Sequence, residues 1–169
     1  MTVDRLPHDI RHHLTRMFGS TPEPDYRLLR EALASGPYQE LIAALAARFT
    51  VDEDTDPNFD HGRCLLLQDD PQLWALDLSA VGPFAAFGRV ELGWTRVIEP
   101  GQPDLDAAEQ WVIAQLAAHD LRLLDRDVLE LPVPLRLAHA ADPRVYQALF
   151  SDTDLLPWDE EALGRLGLL

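Results

Sequence analysis

Lysine is absent from this 169-residue sequence, cysteine occurs once, and uninterrupted apolar runs are short. Each shortage excludes something. Runs such as Leu65-Leu66-Leu67 and Ala43 to Ala47 fall far below the roughly 20 residues of a membrane span. The opening MTVDRLPHDIRHH has no apolar segment behind a basic start, so it does not read as a secretory signal. A lone Cys64 forms no internal disulfide, which fits a reducing compartment; the expected location is the cytoplasm. Every one of the fourteen basic residues is Arg, against twenty-nine Asp and Glu, for a formal net charge of −15. Such a chain lacks the cationic contacts that release counterions from nucleic acid, and it is repelled by anionic membranes. No nucleic acid and no membrane is expected as a partner. Long-range attraction favours a basic protein instead, although an acidic surface also serves solubility alone.

What is present suffices for one domain. With 47% apolar and 8% aromatic residues, a chain of this length can bury a core without disulfides or metals. Residues 1–50 read as helical. Leu6, Ile10, Leu14 and Met17 recur at helical spacing, Gly19 to Pro22 break the pattern, and a second helix is expected over 24–34. Over 37–49, Tyr38, Leu41, Ile42, Leu45 and Phe49 form a third amphipathic stripe. Residues 51–62, VDEDTDPNFDHG, read as a mobile, solvated acidic loop.

From residue 63 the period shortens to two. Strands are expected over 63–68 and around Trp74, Leu76 and Leu78, with a turn at 69–71. Phe84 to Val90 and Leu92 to Ile98 read as two more strands, or as one bent near Gly93. The short Gly, Pro and Asp connections leave no room for crossover helices, so the pairing should be antiparallel. Asp106 and Glu109 form a capping box for a helix ending near His119. A short strand is expected at 121–124, a turn at 125–127 and an extended piece over 131–134; 144–150 suits helix or strand, and 159–166 closes the chain as a helix. The expected architecture is α+β in a single domain over 1–169: N-terminal helices (about 1–50) and a later helix packed on an antiparallel sheet of three to five strands (within about 63–169).

Chemical constellations are sparse. Asp52, Asp54, Asp56, Asn58 and Asp60 fall at alternate positions of a calcium loop. Pro57 stands where the sharp turn needs Gly, however, and Arg63 where a bidentate carboxylate is required. His8 and His12 share a helix face but have no third ligand in register. Ser79 lacks the flanking glycines of a nucleophile elbow and is expected to support the Gly82-Pro83 turn. Cys64 in its apolar run reads as a buried, inert thiol. Of Trp74, Trp94, Trp111 and Trp158, Trp111 lies off its helix stripe, the position of a half-buried aromatic that can anchor an interface. No catalytic residue, metal site or cofactor is assigned.

Two stretches carry a resemblance. Trp74 to Phe84 is an alternating strand ending in a Ser-x-x-Gly-Pro-aromatic turn, and Val145 to Asp154 runs on to Leu155-Leu156-Pro157-Trp158. Together, over about a fifth of the chain, they resemble segments of small bacterial α+β immunity proteins of polymorphic-toxin systems, SUKH-like in character. That resemblance implies a non-catalytic protein that neutralises a basic toxin or effector by binding it. A small hydrolase-like enzyme with a site assembled from distant residues, which a deep pocket joining Ser79, Asp77 or a His would support, or a structural subunit, remain the alternatives. The candidate partner-binding residues are Asp52, Glu53, Asp54, Asp56 and Asp60, with Asp152, Asp154, Asp159, Glu160 and Glu161, and with Trp158 as an anchor between them. The oligomeric state is left open.

Overall fold

A computed structural model describes residues 5–167 apart from Gly93 and the side chain of Trp94. The architecture is α+β: seven helices and a mostly antiparallel sheet of six strands among the described residues. Strands β1 (Thr50–Glu53), β2 (Gly62–Asp69), β3 (Gln72–Ser79), β4 (Phe84–Glu91) and β5 (Trp94–Val97) form an antiparallel meander in sequence order. A two-residue strand β6 (Arg122–Leu123) joins β4 in parallel. This last pairing departs from the antiparallel expectation. It is made possible by helix α4 (Ala107–Ala118), which carries the chain across the sheet before β6.

Period-two alternation gives the sheet two distinct faces. Leu65, Leu67, Trp74, Leu76, Leu78, Ala85 and Phe87 point to one side, where Leu41 and Leu45 from helix α3 (Gln39–Ala46), Phe49 just after it, and Val112 and Leu116 from α4 cover them. Phe84 and Ala86 point to the other. There they meet Ile10, Leu14 and Phe18 of α1 (His8–Phe18), Leu29 of α2 (Arg27–Ala34), Leu129 of α5 (Arg126–Leu129), Tyr146 and Leu149 of α6 (Val145–Leu149), and Trp158. The N-terminal helices therefore do not form one unit: α1 and α2 join the C-terminal elements on one face, and α3 serves the opposite core.

Local chemistry fixes the boundaries. The capping box forms as expected, with Asp106 accepting the Glu109 N–H and Glu109 accepting that of Asp106. The expected turn at 125–127 is instead the start of α5, because the Asp125 carboxylate caps the Val128 N–H. Residues 145–149 resolve to helix and 160–165 to the closing helix α7 (Glu160–Arg165), capped by Asp159. The second helix begins at Arg27, three residues later than expected, after the Asp25 carboxylate takes the Arg27 N–H.

The acidic segment is the main correction. Thr50 to Glu53 pair with Gln68 to Leu65 as edge strand β1, and the remainder is a tied turn rather than a mobile loop. Asp60 accepts the Asp56 N–H at 2.6 Å, Asp56 accepts that of Asn58, and Thr55 accepts that of Cys64. Among the described residues no helix is long and apolar enough to cross a membrane.

Candidate active or binding cavity

The face of the sheet shared with α6 is only partly covered. Register places Cys64 opposite Asp77, Asp77 opposite Ala86, Leu66 opposite Ala75, and Ala75 opposite Gly88, so these side chains lie together on it. Four of the six are no larger than a thiol. Gly88 is required by the close approach of β5, since a Cβ there would run into Thr95 and the Arg96 carbonyl. The short side chains leave a cavity of about 390 Å³, walled by the 54–60 turn, by Leu129 and Tyr146, and by the 151–158 segment. None of the described side chains lining it is basic.

Helix α6 is positioned over this floor by the residue just before β2 and the last residue of β3. Its last carbonyls would otherwise be unpartnered. The His61 ring Nδ1 meets the Ala148 carbonyl at 2.8 Å, the Ser79 hydroxyl donates to Leu149 at 2.7 Å, and the His61 backbone N–H donates to Phe150 at 2.8 Å. Burial holds the His61 imidazole below its ordinary value, which keeps it neutral. Ser79 also accepts the Val81 N–H, so its hydroxyl is fully engaged in shaping the turn and capping α6. The result is that Tyr146 sits above Asp77 and donates to its Oδ2 at 2.8 Å.

The polar floor is an unusual group. The Cys64 thiol lies against both Asp77 and Asp60, while the Ser151 hydroxyl donates to Asp60 at 2.6 Å. All the side-chain partners of the two carboxylates are neutral, and no Arg compensates them. Withdrawal from water pushes the Asp77 carboxyl up to about 6, with Asp60 adding to the rise and the hydrogen bonds from Tyr146 and Cys64 opposing it. Burial and the same two carboxylates push the Cys64 thiol up, and Tyr146 is raised well above an ordinary phenol, burial being the largest cause. Burial, the reason the sequence suggests, is the largest cause of the raised Cys64 thiol, but its surroundings differ: Leu65 and Leu67 face the opposite core, and the thiol shares the cavity face with Leu66 and lies against carboxylates.

The two acidic segments singled out in the sequence meet here. Asp60 and Ser151 form a β-bridge, and the Asp152 N–H donates to Phe59 at 2.7 Å. Asp54 and Asp56 are exposed at the cavity rim, and Asp52 is exposed on β1. Glu53 takes both Nε and Nη2 of Arg63 at 2.9 and 2.7 Å, an ion pair that holds its carboxyl below the usual range. Asp154, Glu160 and Glu161 are exposed, and Asp159 is occupied as the α7 cap.

Three of the expected contact residues are interior. Asp60 is buried on the cavity floor. Asp152 is buried and accepts the backbone N–H groups of Ala138, His139 and Ala140, three charge-assisted bonds that fold that loop. Trp158 is only 5% exposed, packs edge-on against Tyr146 at 5.0 Å and donates to Glu130; it is a wall of the cavity and not an anchor on the outer surface. Trp111 is half-buried beneath the Arg48 guanidinium, 4.9 Å from the ring centroid. His8 and His12 gain no further ligand: among the described residues, no group of three or more His, Cys, Asp or Glu is placed to hold a metal.

Sequence reasoning named Asp77 only as a possible member of a non-local enzyme pocket, and passed over Tyr146. In LWALDLS, Asp77 looks like the solvent side of an amphipathic strand. The available signal was the company it keeps: the same side carries Ala75, then Ala86 and Gly88 on the next strand, a run of small residues that suits a covered face better than an open one. No protein-family model, curated protein or solved structure matches this chain.

Proposed function

We propose that this protein is a non-catalytic binding protein for a basic protein partner, in its most specific form an immunity-type inhibitor of a basic toxin or effector. One observation carries the reading. The two acidic segments, distant in sequence, meet through the Asp60–Ser151 bridge at a single cavity, whose described lining has the carboxylates of Asp54, Asp56 and Asp60 from the first segment and of Asp77, and no cationic side chain. Asp54 and Asp56 on that rim, with Asp52 beside them on β1, form the face that a basic surface would approach. With a net charge of −15 behind them, such a face accelerates encounter and selects against acidic proteins.

A second reading, a hydrolase-like enzyme, is favoured by Asp77, a carboxyl near 6 in a cleft, which suits a general base. The neighbouring hydroxyl and thiol groups fit a nucleophile poorly: Ser79 caps α6, Ser151 is bonded to Asp60, and the Cys64 thiol is raised.

The test is stopped-flow association with the purified basic product of the gene adjacent to its own. Between ~50 and ~500 mM salt the Debye length contracts from roughly 14 to 4 Å, so association should slow about tenfold or more while dissociation changes little. Asp54→Asn with Asp56→Asn should slow it at low salt. Salt-indifferent association would remove the charge argument.

A further inference from the structure

The cavity floor holds a carboxylate whose ionisation works against the fold. Asp77 is half-buried on a strand face at the bottom of the cavity, facing Cys64 from β2, Asp60 from the adjoining turn and Tyr146 from α6. Every group facing it is neutral or negative. A purely structural position of this kind is better filled by an amide or an apolar side chain, because even a half-buried charge without a counter-ion loses hydration that nothing replaces. What the site lacks is one positive charge.

The walls indicate what kind of cation would supply it. Tyr146, Trp158 and Phe59 present aromatic surface, and Leu66, Leu129 and Val97 are aliphatic. A volume near 390 Å³ lies in the lower part of the roughly 300–1,000 Å³ range of small-molecule sites. The described residues offer no set of three or more metal-ligating side chains. Carboxylates at the bottom of an aromatic and aliphatic cleft match an organic cation: the head pairs with Asp77 and Asp60, and the stem packs between rings that also attract positive charge.

We infer that the cavity is a binding site for a primary ammonium or guanidinium group on a short apolar stem, with Asp77 as its principal counter-ion. The group can arrive as a free amine or as the Lys or Arg side chain of a protein; the inference does not require the partner proposed above. Because the cation favours the ionised carboxylate, binding and deprotonation of Asp77 are linked. Near pH 6, where the carboxyl is about half protonated, binding should release roughly half a proton.

Isothermal titration of the full chain with n-butylammonium, n-butylguanidinium and n-butanol tests this. At about pH 7.5 either cation should bind at least ~10-fold more tightly than n-butanol, the neutral isostere. Binding should weaken ~10-fold at about pH 5, and titration near pH 6 in buffers of different ionisation enthalpy should show proton release. Asp77→Asn should weaken cation binding ~10-fold or more and abolish the proton release. Ala75→Leu, which fills the cavity and leaves the carboxylates in place, should abolish binding of the cations and of n-butanol. N-acetyl-lysine amide separates the sources: binding as tight as n-butylammonium marks a cleft that accepts a protein side chain, whereas binding of the free amines alone marks a small-molecule site. Equal binding of n-butanol, unchanged binding in Asp77→Asn, or no proton release would overturn the inference. A basic partner that binds with salt-dependent kinetics while n-butylammonium fails would sink the cavity site and leave the proposed function standing.

Discussion

Tyr146 on α6 donates its phenol to Asp77 on β3 at 2.8 Å, joining residues 69 positions apart across the floor of the cavity. Everything that fixes α6, from the Ser79 and His61 bonds at its last carbonyls to the packing of Trp158, also fixes this contact. The phenol satisfies one carboxylate oxygen without neutralising the charge. Asp77 is thereby held in place yet left electrostatically unpaired, and this combination governs both stability and binding.

Asp77→Asn should stabilise the protein near neutral pH. The folded-state value of about 6 lies above the ordinary 3.8. The contribution of Asp77 is thus fully present below about 3.8 and is lost as pH rises through 6, reaching roughly 2–3 kcal/mol at about pH 7.5. Denaturant unfolding across about pH 4 to 8 checks this as the difference between wild type and variant. The comparison matters because His61 has the opposite sign: its folded value is lowered from 6.5, so its contribution is present above 6.5 and is lost as pH falls. A variant no more stable than wild type at about pH 7.5 would contradict the account.

Tyr146→Phe removes the donor and strands a carboxylate oxygen. Unfolding should show a loss of about 1–3 kcal/mol at about pH 7.5. The pH at which Asp77 is lost as a charge should rise, because one of the bonds opposing its protonation is gone.

Glu109 provides a comparison on the other face of the sheet. Its side chain is buried and accepts Trp74 Nε1 at 2.9 Å, Arg89 Nη2 at 2.6 Å and the Asp106 N–H at 3.0 Å. Burial pushes its carboxyl up, but these bonds, that from Arg89 above all, bring the net value below the ordinary one. Glu109→Ala leaves Trp74 without its acceptor and Arg89 with Asp104 alone, and should cost roughly 3 kcal/mol by denaturant unfolding. Paired Glu109 and unpaired Asp77 should therefore respond in opposite directions to loss of charge.

Much of this arrangement was legible in the sequence. The α1 stripe, the α4 capping box, the β2 and β3 alternation and the closing α7 followed from period and caps, because those signals are local. The β6 pairing and the α5 start were not, since a two-residue strand has no period and the Asp125 cap resembles a turn until its Val128 partner is known. The acidic 51–62 segment was misread for a similar reason: edge strand β1 is short and exposed, so its residues carry no apolar alternation. The cavity could not be read at all. It depends on register, which brings Cys64, Asp77 and Ala86 side by side, and on long-range bonds that seat α6 above them.

Cys64 lines the cavity, yet its thiol should resist alkylation. Its raised value suppresses the thiolate, the reactive species. Iodoacetamide labelling at about pH 8, followed by mass spectrometry, should run at least ~10-fold slower than for free cysteine and reach completion in denaturant. Labelling at the free rate in the native protein would mean that the thiol is not held against the two carboxylates.

The most direct test of the central claim is the carboxyl titration of Asp77 by ¹³C NMR, with and without saturating n-butylammonium. The account predicts a midpoint near 6 in the free protein, moved down by about one pH unit or more by the cation and unmoved by n-butanol. An Asp77 that titrates near 3.8 in the free protein, or whose midpoint does not move with the cation, would contradict it.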